Sequence, residues 1–404
     1  MFNTRNNHAN NNKKSICIFS ALFNPSMGGV EAYTENLAYA LANEGHRITI
    51  VTMNTHYADS FESHGNVDVI RLPAFNTLSG RYPLERRNAN YRIALNRLTL
   101  TRPDYVLVNT RFYPLSITGL SFSRKLGITP ILIEHGSAHL TMGNPAANTA
   151  IEATEHILTA VGKRYHPACY AVSKKASVWL NHFGLASKGE LPNAIDADKF
   201  ASSASARNYR EELGISPETL LVASAGRLIP EKGVLQLAQT AQMIEQNQAD
   251  IHVVMAGTGP LEKQLKETSS SNLHLLGKLN HADLAALLSQ ANLYCLPSRS
   301  EGFATTLLEA AACETASVVT DVGGTDELIP NEEFGVIIPN MRPETIAHAL
   351  YSAAKQRDEI QRQGKAAAKR VREICSWQRT ASSVLRACEE ANPQNSLLQE
   401  HAKQ

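Results

Sequence analysis

The sequence predicts an α/β protein made of two doubly wound domains that face each other across a cleft. Three observations predict it. The 404 residues exceed what one hydrophobic core usually organises and fit two domains of about 200 residues each. Apolar runs of strand length alternate with stretches of helical periodicity, the pattern of parallel sheets covered by helices on both faces. A Ser/Ala-rich connector, "LPNAIDADKFASSASARNYREELGI" at residues 191–215, separates the two sets. The expected divisions are a disordered tail at residues 1–14, a first domain at 15–195 and a second at 196–375. A helix at 376–404 packs back toward the first domain and ends in a polar tail.

The elements follow in order. "NTRNNHANNNKK" is polar and Asn-rich, hence the disordered tail. Lys13-Lys14 before "SICIFSALF" is compatible with a short signal peptide, but no small-residue cleavage site follows, and a buried first strand is the preferred reading. "HRITIVT", "VDVIRL", "DYVLVN" and "PILIEH" are the further strand candidates of the first half. Between the first two strands Val30, Tyr33, Leu37 and Leu41 recur at helical spacing, and Gly45 suits a left-handed helix end. In the second half "TLLVASAG", "IHVVMAG", "LHLLG", "ANLYCLP", "ASVVTDVGG" and "FGVIIP" alternate with helices around Leu237, Leu265, Leu284 and Leu308.

A 43% hydrophobic content and a net charge of +1 describe an ordinary globular chain and argue against a nucleic-acid binder. The charge is uneven: residues 1–200 hold 20 basic against 14 acidic side chains, and residues 201–404 hold 19 against 24, so the first half favours anionic partners. Six scattered cysteines without zinc-ligand spacing read as reduced core thiols in a cytoplasmic protein. No apolar run is long enough to span a membrane.

In doubly wound sheets the ligand sits beyond the carboxyl ends of the strands, so the residues that follow strands are the ones to read for chemistry. "SAGRLIPEKG" offers Arg227 and Lys232 on one loop, a guanidinium and an ammonium suited to a diphosphate; a solvated surface loop is the alternative. "AGTGP" at 256–260 lacks the third glycine and the acidic partner of a dinucleotide fingerprint, so a tight strand-to-helix turn is preferred. Gly28-Gly29 open a helix where backbone amides suit an anion, although a packing turn needs glycine as often. His135, at a strand end, faces the cleft and can donate to a sugar hydroxyl or a developing charge; a satisfied core histidine is the alternative. Asp196-x-Asp198 has the look of a metal pair but lies in the connector, so it reads as structural with no metal requirement. "SRSEGFATTLLEAAAC" sets Glu301 just before a helix and Glu309 inside it. That spacing first suggests a paired acid and base around one bond.

Taken together, these stretches resemble the retaining glycosyltransferases of family 4, which have the GT-B fold of two Rossmann-like domains. The resemblance runs from about residue 15 to about residue 390. It rests on Gly28-Gly29, His135-Gly136, "YAVSKKA", "LPNAIDADKF", "AGRLIPEKG", "AGTGP", the Glu-x7-Glu pair and "TDVGGTDELI". It implies that Arg227 and Lys232 hold the diphosphate in place of a metal ion, that Glu309 binds the ribose and that Glu301 lies beside the donor sugar. Amides of Gly302, Phe303, Ala304, Thr305 and Thr306 would contact sugar or phosphates. The backbone at Gly277, Lys278 and Leu279 would read the base. Gly28, Gly29 and His135 would form the opposite wall, in the domain that selects the acceptor. The implied co-substrate is a UDP- or GDP-sugar, with no metal or other cofactor. Transfer with retention is expected by same-face attack assisted by the leaving phosphate. Three departures stand out: Ala194 must supply the linker bend, Ala304 slightly restricts the donor loop, and Glu314 with Thr315-Ala316 replaces a frequent Gly-Thr-Pro turn.

Residues 81–102 carry Arg81, Arg86, Arg87, Arg92, Arg97 and Arg102 against one acid, Glu85, with Leu84, Tyr91, Leu95 and Leu98 at helical spacing. This reads as a basic amphipathic helix for peripheral contact with an anionic membrane at its inner face, or as the solvated face of a domain helix. The expected function is sugar transfer to a lipid-linked or growing glycan in cell-surface polysaccharide synthesis. The competing readings are a transferase for a small soluble acceptor, such as a sugar phosphate or inositol derivative, and a non-catalytic sugar-nucleotide-binding subunit.

Overall fold

The computed structural model describes residues 13–26, 28–140, 144–268 and 270–394. The tail expected to be disordered lies outside the described residues as far as residue 12; Lys14 is already buried, its amide donating to His46 Nδ1 at 3.0 Å.

Residues 15–190 build the first sheet from β1 (Ser15–Phe19), β2 (Arg47–Asn54), β3 (Phe61–His64), β4 (Val67–Phe75), β5 (Leu84–Glu85), β6 (Tyr105–Asn109), β7 (Ile131–Glu134), β8 (Ala168–Ala171) and β9 (Ser187–Glu190). The order is β3-β4-β2-β1-β6-β7-β8-β9, with β5 on β4; only β3 and β5 run antiparallel to their neighbour. The candidate signal segment is thus the central strand β1, paired with β2 and β6 and apolar throughout because helices cover both faces. The second sheet holds β10 (Leu220–Ala225), β11 (Ile251–Ala256), β12 (Leu273–Gly277), β13 (Leu293–Leu296), β14 (Ala316–Thr320) and β15 (Val336–Ile338). Its order, β12-β11-β10-β13-β14-β15, is wholly parallel and reverses direction of growth at β10/β13. A doubly wound sheet binds its ligand at that reversal.

The first helix, Gly29–Asn43, buries Tyr33, Leu37 and Leu41 on the sheet, and Gly45 just beyond it takes φ +94°. The last, Trp377–Ala391, returns to the first domain. Trp377 meets Tyr33 edge-on at 5.6 Å, and the Asn392 side chain pairs with the backbone of Thr129 at 2.7 and 3.1 Å. At the connector Asp196 Oδ1 accepts from the Lys199 amide at 3.2 Å and caps the helix Ala197–Ser202, while Asp198 takes Arg372 Nε at 2.7 Å. The two carboxylates therefore hold separate structural partners.

Two of the departures are resolved in opposite senses. Ala304 sits at φ −74°, which any residue adopts, so the expected restriction of the donor loop does not arise there. Glu314 is held at φ +60°, where a non-glycine residue costs about 1 kcal/mol. Its carbonyl would lie 2.0 Å from a Cβ on Gly364, so helix packing fixes the turn despite the strain.

The basic segment also differs from its expected form. Its helix is Ala89–Leu100, opened by Asn88, whose side chain accepts from the Tyr91 amide at 3.0 Å; Leu84-Glu85 is instead strand β5. Tyr91, Ala94 and Leu98 are buried against the domain, so the apolar stripe read as lipid-facing is used for internal packing. Ile93 and Leu100 point outward, 66% and 81% exposed, among Arg92, Arg97 and Arg102. No helix among the described residues is long and apolar enough to cross a membrane. All six cysteines are free thiols, five of them buried.

Candidate functional site

The candidate donor residues follow the carboxyl ends of four adjacent strands, β12, β11, β10 and β13. After β10 the chain turns through Gly226 (φ +146°) and Arg227 into a short turn at Pro230–Lys232, closed by Gly233 at φ +66°. A Cβ on Gly233 would stand 2.1 Å from the Pro297 carbonyl, so this turn lies directly on the end of β13. The same kind of contact ties β11 to β10, where a Cβ on Gly257 would be 1.8 Å from Gly226 O. The "AGTGP" glycines are thus packing glycines, as the tight-turn reading expects.

This packing brings the Lys232 ammonium to Glu301, with Nζ 2.5 Å from Oε1, and Ser298 Oγ donates to that oxygen at 2.7 Å. Arg227 is exposed on the same loop. Lys232 and Glu301 stand 20% and 11% exposed, where their mutual attraction is only partly screened. Beyond Glu301 the chain enters the helix Thr305–Ala312, which has no side-chain cap. The Ala304 amide is used by Gly323 O at 3.1 Å, so it is withdrawn from the set expected to meet a ligand. Among the described residues the amides of Gly302, Phe303, Thr305 and Thr306 make no such bond, leaving partial positive charge at the helix entrance. The Thr306 hydroxyl is engaged by Tyr294 OH at 2.5 Å.

Glu309 lies one turn into that helix. Burial pushes its carboxyl up to about 7, and among the described residues it has no hydrogen-bond or ion-pair partner. A half-buried carboxylate without donors invites hydroxyl groups. Gly277, at φ +67°, ends β12 and accepts from the Gly257 amide at 2.7 Å; Lys278 is exposed beyond it, and Leu279 turns into the core. Gly277–Leu279 follow β12, three strands from β13, the strand that precedes Glu301, about 14 Å at normal strand spacing.

The first domain supplies the facing wall. His135 is half-buried, and the loss of surrounding water pushes its imidazole down to about 3, so the ring is neutral. Asn109 Nδ2 donates to Thr34 Oγ1 at 2.7 Å, which leaves Asn109 Oδ1 to accept from His135 Nε2 at 3.1 Å. The ring's one N–H is therefore spent. The expected donation by His135 thus has no N–H left for it, and Nδ1 carries the ring's lone pair. Gly28 caps the first helix with extended backbone (φ −178°), and a Cβ there would meet Glu31 Oε2 at 2.4 Å; a Cβ on Gly29 would meet nothing within 4 Å. Gly28 thus makes room for a carboxylate that sequence reading passes over. Burial raises the Glu31 carboxyl, and the positive charge of Arg227 across the cleft opposes that rise.

Other residues not singled out in the sequence join the walls. Ser137 Oγ donates to Glu301 O at 2.6 Å and Ser173 Oγ to Gly302 O at 2.7 Å, while Lys175 Nζ reaches Asp321 Oδ1 at 2.5 Å. Behind them, wholly buried Arg111 binds Glu134 at 2.6 Å and Glu155 at 2.8 Å, and Glu134 in turn accepts from the Gly136 amide at 2.7 Å. Ser173 lies within "YAVSKKA", just beyond β8, and Glu31 within "GGVEAY", in the first turn of the helix Gly29–Asn43, so the polar residue beside a quoted motif is the available signal in each case.

Residues 27–199 match the family described as Glycosyltransferase Family 4, and residues 205–370 match Glycosyl transferases group 1. A phosphatidylinositol N-acetylglucosaminyltransferase component of Homo sapiens is 23% identical over 348 residues, covering 81% of this chain and 66% of that protein. The GDP-mannose-dependent alpha-(1-6)-phosphatidylinositol dimannoside mannosyltransferase of Mycobacterium tuberculosis is 25% identical, covering 90% of this chain and 93% of its own. The sucrose-phosphate synthase of Thermosynechococcus elongatus superposes with a TM-score of 0.73 at 18% identity, covering 94% of this chain and 99% of that one.

Glu309 gives a test of the site by pH. Its folded value near 7 lies above the ordinary 4.5, so the folded protein holds the proton more tightly, and ionising Glu309 costs stability as pH rises through that window. Glu309→Gln is expected to melt higher than the parent above about pH 7, with the gain vanishing below about pH 4.5. Thermal melts across that range check it; a gain independent of pH would contradict the assignment.

Proposed function

The chain belongs to glycosyltransferase family 4 and has the GT-B fold, and from that premise we propose that it transfers a sugar, with retention, from a UDP- or GDP-sugar to a lipid-linked acceptor in glycoconjugate synthesis. The observation that carries the donor reading is the Lys232–Glu301 contact at the entrance of the helix that also holds Glu309, which has no side-chain partner among the described residues. The diphosphate lies between Arg227, Lys232 and the amides of Gly302, Phe303, Thr305 and Thr306. Glu301 faces the sugar, Glu309 accepts from the ribose, and the base lies toward Gly277. The distance from β12 to β13 suits such an extended ligand.

In the reaction the anomeric carbon–phosphate oxygen bond breaks and the acceptor oxygen bonds to the same face of that carbon. The acceptor's proton passes to the leaving phosphate. Negative charge grows on the diphosphate as the bond breaks, and two cations and helix-end amides meet it, so no metal ion is required for that role. The neutral imidazole of His135 orients a sugar hydroxyl by accepting from it. Loss of either Lys232 or Glu301 leaves the other partner half-buried and unpaired.

The names of both sequence relatives refer to phosphatidylinositol, which supports a lipid acceptor presented at a membrane. Exposed Ile93 and Leu100, set among Arg92, Arg97 and Arg102, suit peripheral contact with an anionic surface from the cytoplasmic side.

A panel of UDP-, GDP- and ADP-sugars tests the donor. One base series is expected to raise the melting temperature and to support slow hydrolysis, with Glu301→Ala lowering turnover roughly 100-fold. No stabilisation by any member, or undiminished turnover in Glu301→Ala, overturns the reading. For the membrane surface, co-sedimentation with phosphatidylserine vesicles is expected to fall with rising salt and with Ile93→Asp. Equal binding to phosphatidylcholine vesicles contradicts it.

A further inference from the structure

Outside the residues assigned to the donor, three histidines converge on one point of the first domain. His139 comes from the loop after β7, His156 from the helix Pro145–Lys163 and His182 from the last position of the helix Lys174–His182. One ligand nitrogen from each lies within 4.8 Å of the others. Glu152, one turn before His156 on the same helix face, puts Oε1 3.4 Å from His139 Nε2.

The surroundings of His139 point to a ligand. Its Nδ1 lies 3.0 Å from Glu155 Oε2, an oxygen also held by Arg111 at 2.8 Å, while Glu155 Oε1 accepts from the Leu140 amide at 3.0 Å. An ionised carboxylate can only accept, so Glu155 places hydrogen on Nδ1, and Nε2 turns toward Glu152. That Nε2 is buried and makes no hydrogen bond among the described residues. A carboxylate behind one ring nitrogen and a buried second nitrogen that makes no hydrogen bond, beside a further carboxylate, is an arrangement that suits a histidine held toward a metal ion. Charge agrees, since one guanidinium, Arg111, faces two buried carboxylates, Glu134 and Glu155.

We propose that His139, His156 and His182 form a zinc site, with Glu152 or water as the fourth ligand. Three imidazoles suit a borderline-soft divalent ion, and nitrogen–metal bonds of about 2.0–2.1 Å require nitrogens roughly 3.4 Å apart. His156 and His182 are exposed and free to swing the remaining distance. The ion would fasten the loop 136–140, whose Ser137 holds the Glu301 carbonyl, to two helices of its own domain. Its role is to order that loop; donor chemistry does not pass through it.

The test uses the full chain without a histidine tag, stripped by chelator and titrated with Zn²⁺ by calorimetry. The parent is expected to take up one equivalent more than the double variant His156→Gln/His182→Gln, with affinity at that site falling roughly 100-fold or more in the variant. Co²⁺ is expected to quench Trp179, which stacks on His182 at 4.8 Å, and to give the intense visible absorption of a four-coordinate ion. Far-UV circular dichroism confirms that the variant is folded, and single His182→Gln serves if it is not. Equal zinc uptake by parent and variant, or none by either, overturns the proposal.

Discussion

The whole arrangement depends on one close approach of backbone to backbone. A Cβ on Gly302 would stand 1.7 Å from the carbonyl of His135, and a Cβ on Gly323 would stand 2.2 Å from the carbonyl of Gly302. Three segments from two domains therefore stack with no side chain between them. Only glycine permits this, and the hydroxyls of Ser137 and Ser173 then reach the carbonyls of Glu301 and Gly302. The turn that carries Glu301 is held from both sides before any ligand arrives, so its carboxylate and the helix entrance behind it are preorganised.

Electrostatics use that frame. Lys232 and Glu301 satisfy each other in the cleft, Arg227 stays exposed opposite Glu31, and Glu309 is left without a donor among the described residues. An uncompensated, half-buried carboxylate is a cost to the fold, and this one stands on the helix that follows β13, at the carboxyl end of a doubly wound sheet, where such folds bind their ligands. Behind the opposite wall the Arg111 cluster spends its own buried charges on positioning, gripping the Gly136 and Leu140 amides through Glu134 and Glu155.

Much of the fold was legible because parallel strands buried on both faces must be apolar throughout. The four inner strands of the second sheet announce themselves in this way, and the edge strands β12 and β15 are apolar runs that are only partly buried. β8, "ACYA", has none of the branched aliphatic residues that mark the other inner strands, and β9, "SKGE", is an edge strand whose alternate residues face water, so neither carries the signal. The extent of the basic helix was not legible because periodicity alone does not say which partner takes the apolar stripe; here β4 takes it. For the site, residue types and strand-end positions mark Arg227, Lys232, Glu301 and Glu309. The tautomer of His135 was not legible, since it is set by Asn109 and Thr34, far away in the chain. Ser137, Ser173 and Arg111 act through contacts that only the folded chain creates.

The central claim is that the site lies along one extended donor, with phosphate and sugar at Lys232 and Glu301 and the ribose at Glu309. Calorimetry with the stabilising nucleoside diphosphate and its sugar conjugate tests this most directly. Glu309→Gln is expected to weaken both ligands by the same factor, whereas Glu301→Ala weakens the sugar conjugate and leaves the diphosphate's affinity within about twofold. Equal losses for both ligands in both variants would mean that the two glutamates do not address opposite ends of the donor, and would contradict the account.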